Sequence, residues 1–373
     1  MKNIRESNFE FMRIVSMVFI VMCHVIDSGN LIRNCQNETL SIIFELIMFF
    51  TRVHVNSFML LSGFFQSKSN FKLKKVINLF LQACFYIVLL FCIALKLRLI
   101  ENVNVMTIIK LFLPSSLNDY WFISAYIVTY IFSDYINIFI NRINRKEHKH
   151  FIILGFVVLS LLPYITGLKF LNNNGFNFYH FIYLYIVGAY LRKFSLKQTY
   201  HFKLIKIKSY FMFMIFIFIS MILLNYMTVL LANRIQGTNS VFNYLAENIF
   251  ATKYCYSNPF IIIQTIAYFE IFRCLKFKNS FVNFISSNVL GIYFFHENIY
   301  VRQNIYKFLR IDTGFFYSYR KFVYYIGAII IIFLIGLIIE IIRKIIMKFI
   351  YKVLTRLKCP IRKKQIFKNY FIN

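Results

Sequence analysis

The chain has 373 residues, of which 59% are hydrophobic and only 15% charged, with a mean hydropathy of +0.63. That is too apolar for a soluble domain of this length to keep a polar surface, so a bilayer is its expected solvent. The formal charge of +29, from 43 Lys and Arg against 14 Asp and Glu, would suggest nucleic acid in a soluble protein; here the cations cluster between apolar runs, which sets nucleic acid aside in favour of membrane topology and anionic lipid headgroups.

A bilayer core of about 30 Å needs about 20 apolar residues per helix. Ten segments fit, predicting an all-α, polytopic integral membrane protein with about ten transmembrane helices. In chain order they run from Phe9 to Asp27, Ser41 to Phe65, Val76 to Leu97, Trp121 to Ile140, Phe151 to Leu168, Phe178 to Leu191, Phe211 to Ala232, Pro259 to Phe272, Ser286 to Tyr300 and Phe322 to Ile342. The sixth, eighth and ninth are short enough to tilt or re-enter. The first is interrupted by Arg13 and His24 and lacks a small-residue cleavage site, so it reads as a retained helix rather than a signal peptide.

Charge tests this reading independently. With the N-terminus inside, 29 Lys and Arg fall on inner segments and 12 on outer ones, while Arg13 and Arg52 lie within helices. The bias predicts a multi-pass plasma-membrane protein with both termini cytoplasmic. Residues 1–350 then form one membrane domain and 351–373 a basic cytoplasmic tail. The seven cysteines are odd in number and lack paired metal-ligand spacing, so neither a disulfide framework nor a metal site is expected.

A charge inside a membrane helix costs a few kcal/mol, so one that persists tends to face a polar interior. Eleven residues return Arg13 and His24 to nearly the same face, about 16 Å apart along the axis. The pair suits a long substrate with an anionic head and a reactive tip, for which coenzyme A is one description. A desolvated imidazole can act as a base, and Asp27, one turn on, is placed to orient it. The plainer reading makes His24 an interfacial residue and Arg13 a snorkelling anchor. Glu45 and Arg52, seven apart, share a face of the second segment. Ser62 and Gly63 permit close helix packing.

Six stretches carry a resemblance. NFEFMRIVSMVFIVMCH, Asn8 to His24, is similar to the first helix of the acyltransferase 3 family, with its Arg, ten residues, His hallmark. NSFMLLSGFF from Asn56, WFISAYIVTYIFSDYI from Trp121, FIYLYIVGAYLRKF from Phe181, NPFIIIQTIAYFEIFRCLKF from Asn258 and GIYFFHENIY from Gly291 resemble later helices in the family's order. Two departures stand out. A proline common near the end of the Trp-Phe segment is replaced around Asp134, and a pair of arginines after the second helix reads Lys72, Leu73, Lys74, Lys75, which supplies charge but no bidentate fork.

The resemblance implies a membrane-bound O-acyltransferase that takes an acyl group from acetyl-CoA to a hydroxyl of a polysaccharide or lipid-linked glycan. It implies His24 as base or transient acyl carrier, Arg13 at the catalytic centre and on CoA phosphate, and Lys72, Lys74 and Lys75 as further phosphate contacts. Trp121, Tyr293, His296 and Glu297 are candidates for the acceptor side, although His296 and Glu297 also fit plain interface residues. His148, His150 and His180 read as solvated or interfacial. The stretches NNNGFNFYH from Asn172 and NYLAENIFATKYCYSN from Asn243 offer aromatic faces and amides to a glycan. Expected partners are the glycan acceptor and membrane lipids, with a homo-oligomer left open. The rivals are a transporter or flippase for lipid-linked sugars, which would show inverted repeats and broken helices, and a polysaccharide polymerase, which would show a large arginine-bearing outer loop.

Overall fold

At hydrocarbon depth no water satisfies backbone N–H and C=O groups, so each segment must satisfy its own, as a helix does. A computed structural model describes residues 6–356 apart from 36, 101–102, 113–119, 169–172, 195–199, 235–243, 245–247, 250–252, 310 and 312–319. Most of the expected basic tail, and parts of the loops from Asn172 and Asn243, lie outside the described residues. Among the described residues there is no strand. The helices are α1 (Ser7–Ser28), α2 (Glu38–Thr51), α3 (His54–Gln66), α4 (Leu73–Lys96), α5 (Val105–Phe112), α6 (Trp121–Ile131), α7 (Ser133–Arg142), α8 (Arg145–Phe156), α9 (Leu162–Thr166), α10 (Phe178–Lys193), α11 (Tyr200–Arg234), α12 (Pro259–Cys274), α13 (Ser280–Ser286), α14 (Val289–His296), α15 (Ile299–Phe308) and α16 (Arg320–Arg356).

Among the described residues, six stretches are long and apolar enough to cross a membrane: Ser7–Ser28, Glu38–Gln66, Leu73–Lys96, Arg145–Thr166, Ile205–Thr228 and Phe322–Ile350. The pair α6 and α7, bent by 52°, makes a seventh if taken as one span. The other predicted segments are shorter. Helices α10 and α12 have 16 residues each, about 24 Å at 1.5 Å per residue, and each opens on an asparagine cap: Asn177 accepts from His180 N–H, and Asn258 accepts from Phe260 N–H ahead of Pro259. The segment from Ser286 to Tyr300 is not one helix, because α14 stops at His296 and α15 begins at Ile299. Helix α5 has no counterpart among the ten predicted segments, and α16 runs through the expected boundary at residue 350.

The chain divides into two compact units. One gathers Met1–Cys23, Ile43–Phe71 and Ala125–Asn283; the other gathers His24–Ile42, Lys72–Ser124 and Phe284–Asn373. In the first, α3 and α10 approach until backbones touch. A Cβ on Gly63 would collide with the Tyr185 carbonyl, and one on Gly188 with the Leu60 carbonyl, so small residues set the separation as expected for Gly63. Phe9 of α1 packs at 5.2 Å against Phe64 and Phe65 and at 5.6 Å against Phe269. Ser16 Oγ lies 2.8 Å from Ser57 Oγ.

Two histidines expected at the surface are buried in this unit. His148 donates Nε2–H to the Ile186 carbonyl at 3.2 Å, and His180 Nε2 lies 3.0 Å from Asn56 Oδ1. Both side chains are fully buried, because each points into the protein from a helical turn whose earlier residues are exposed; His150 is exposed. Glu45 faces Lys253 at 3.5 Å. Arg52, in the break between α2 and α3, donates Nε–H to the Tyr254 carbonyl at 2.7 Å.

In the second unit α14 lies against α16. A Cβ on Gly291 would strike Glu340 and the Tyr86 hydroxyl, and one on Gly336 would strike Ile292. Glu340, buried in an apolar helix, accepts from Tyr86 Oη at 2.9 Å and from Arg343 at 2.8 and 2.7 Å. Its charge is compensated by hydrogen bonds and an adjacent cation, the condition for keeping a carboxylate out of water.

Candidate active site

Helix α14 ends at a polar corner written in three residues. Asn298 adopts an extended backbone (φ −62°, ψ 136°) and its Oδ1 accepts the Tyr300 N–H, which starts α15. Glu297 sits between the two helices, and His296 closes α14. The corner is braced: Asn298 Nδ2 donates to Tyr120 Oη at 3.0 Å, and Tyr120 Oη donates to the Phe294 carbonyl at 2.7 Å. His296, Glu297 and Asn298 are all buried.

His24, in the last two turns of α1, meets this corner. Its Nδ1 stands 3.0 Å from His296 Nε2 and 2.9 Å from Glu297 Oε1. The second imidazole is anchored from behind, its Nδ1 lying 2.6 Å from the Ile292 carbonyl. Glu297 Oε2 is 3.6 Å from Arg302. His24 keeps 18% of its side-chain surface accessible, against 6% for Glu297. A buried carboxylate, a buried imidazole and a partly open imidazole thus meet at one point.

The ring of Tyr293 stands edge-on to His296, with centroids 6.2 Å apart. Phe122 lies 5.8 Å from Tyr293 and 6.2 Å from Trp121, so Trp121 approaches the cluster through Phe122. Asp27 is exposed and makes no hydrogen bond to the imidazole; the acid beside His24 is Glu297. The donor atoms of His24, His296 and Glu297 lie within 4.8 Å of one another, a set of the type that can hold a metal ion. Their closest separations are hydrogen-bond distances.

Arg13 belongs to the first unit, where its Nη1 pairs with Glu10 Oε1 at 2.7 Å. It lines a cavity of about 540 Å³ with Glu6, Phe9, Glu10, Phe65 and Arg192. Arg192, whose guanidinium lies 4.9 Å from the centre of the Phe64 ring, is marked by the sequence only as a cytoplasmic cation. Lys72, Lys74 and Lys75 open α4 in the second unit, with Lys72 as its extended N-cap. Sequence reasoning also passes over Tyr120, Asn298 and Arg302. Asn298 has a signal, since an asparagine ahead of a new helical run is a cap; Tyr120 and Arg302 have none, because only tertiary contact brings them to the corner.

A family model described as an acyltransferase domain matches residues 6–341. No curated protein and no solved structure gives a significant match to the chain.

Proposed function

The chain belongs to the acyltransferase 3 family of membrane acyltransferases, and from that premise we propose that it moves an acetyl group from acetyl-CoA to a hydroxyl of a cell-surface polysaccharide or its lipid-linked precursor. The observation that carries the reading is His24, partly accessible, held against the buried Glu297. In the proposed reaction the accessible imidazole nitrogen takes the proton of the acceptor hydroxyl as its oxygen attacks the thioester carbonyl. The C–S bond breaks, the ester C–O bond is formed, and the imidazolium returns its proton to the CoA thiolate. Glu297 faces the positive charge while it lasts, the role of the acid in a catalytic triad.

Helix α1 carries Arg13 eleven residues before His24. Arg13 and Arg192 are proposed to meet the anionic head of the donor in the cavity they share, where a guanidinium can grip phosphate through paired N–H donors. Lys72, Lys74 and Lys75 are proposed to add charge for phosphate at the start of α4, and Trp121 and Tyr293 to contact the acceptor. The ten crossings are proposed as α1, α2 with α3, α4, α6 with α7, α8 with α9, α10, α11, α12, α14 with α15, and α16, in the plasma membrane with both termini cytoplasmic.

The test is transfer of radiolabel from acetyl-CoA into cell-surface glycan in membranes with and without the protein, and with Arg13→Ala at matched level. Label that depends on the protein, with Arg13→Ala raising KM for acetyl-CoA about tenfold, supports the reading. Label absent with the wild type would overturn the proposed donor and acceptor together, and unchanged kinetics in Arg13→Ala would remove Arg13 from the donor site.

A further inference from the structure

We propose that His296 is a positioning residue that fixes the tautomer of His24, so that Nδ1 of His24 carries the proton and Nε2 presents the lone pair. The inference rests on the reading of His24 as the base and specifies which of its nitrogens acts. The Ile292 carbonyl can only accept a hydrogen bond. His296 Nδ1 lies 2.6 Å from it, so that nitrogen is protonated. A neutral imidazole has one N–H, and the Nε2 of His296 is therefore an acceptor.

That acceptor stands 3.0 Å from His24 Nδ1. Two lone pairs do not face each other at hydrogen-bond distance, so His24 Nδ1 carries a hydrogen and donates it. One proton per neutral ring then leaves Nε2 of His24 unprotonated. Nε2 makes no hydrogen bond with the described residues, and the imidazole retains accessible surface. Glu297 Oε1, though 2.9 Å from Nδ1, is left without a hydrogen bond. The N–H thus points at His296, while the carboxylate acts through its charge. The chain of bonds runs from the Ile292 carbonyl through His296 to His24, and a helix backbone thereby dictates which nitrogen of the base is open. Orientation of one imidazole through the second nitrogen of another group is the logic by which outer partners fix histidine tautomers in enzymes and metal sites.

The experiment is nitrogen-15 NMR of histidine-labelled wild-type protein in lipid nanodiscs, with His24 assigned by loss of its signals in His24→Gln. It requires no turnover, so it decides the tautomer even if the proposed donor or acceptor is wrong. The expected result is His24 protonated at Nδ1 and unprotonated at Nε2, with its N–H coupled to His296 Nε2. His24 protonated at Nε2 would overturn the proposal, as would one equivalent of bound zinc, since a ligating Nδ1 cannot also carry the proton. A kinetic arm separates positioning from mere packing. His296→Phe keeps the ring volume and is expected to lower kcat roughly tenfold or more with KM for acetyl-CoA unchanged, whereas His296→Gln, which retains an acceptor, recovers most of it. Equal rates for the Phe and Gln variants would contradict the role.

Discussion

A carboxylate 2.9 Å from a ring nitrogen, with only 6% of its side chain accessible, acts on that ring with little screening by water. Glu297 is in that position and Asp27 is exposed, which reverses the order in which the sequence offers these two acids to His24. Spacing along one helix favours Asp27, one turn from His24, because local distance is all that a sequence displays. The contact to Glu297 spans more than 270 positions and is invisible to periodicity. Glu297→Gln keeps shape and removes charge, and is expected to lower acyl transfer by about a hundredfold or more at equal protein level. Asp27→Asn is expected to stay within about twofold of wild type. Membranes expressing each variant and assayed for label transfer decide the point; equal losses in both would return Asp27 to the site.

At the level of elements, the polar corner depends on a broken run of apolar sequence. GIYFFHENIY scans as part of one span, but Asn298 caps a new helix and Glu297 is left between the two. Hydropathy continues through the break, so only the cap marks it in the sequence. Gly291 serves packing instead, since its missing side chain lets α14 reach α16 at the buried Glu340 and Tyr86. Gly291→Val would force these helices apart, and overpacking of this kind costs about 1–3 kcal/mol. The expected outcome is a lowered melting temperature in detergent, with the loss of activity following the loss of folded protein. A variant that melts with the wild type would show that α14 and α16 do not need this close approach. Gly63, read from sequence as a packing position, is the parallel case in the first unit, where the Tyr185 carbonyl occupies the space of its absent Cβ.

Across the whole molecule, composition announces a membrane protein and ordered motifs announce the family, because both signals are spread over hundreds of residues. Hydropathy places the long helices well: Phe9 to Asp27 corresponds to Ser7–Ser28, and Val76 to Leu97 to Leu73–Lys96. It does poorly where polar side chains are buried among helices, as with His148 and His180, because a hydropathy window cannot tell a polar group facing solvent from one bonded inside the protein. Arg13 and His24 are legible as polar residues of an apolar helix, and Glu10 is within local reach of Arg13, while Arg192, His296 and Glu297 are brought to them by the fold. The reaction proposed above makes His24 the base of the acyl transfer. The most direct measurement is release of CoA thiol from acetyl-CoA by purified protein supplied with membrane glycan, comparing wild type with His24→Ala of matched melting temperature. Glycan-dependent thiol release by the wild type and a rate lower by about a hundred- to ten-thousandfold in the variant are expected; a folded His24→Ala protein that turns over at the wild-type rate would contradict a role for His24 as the base.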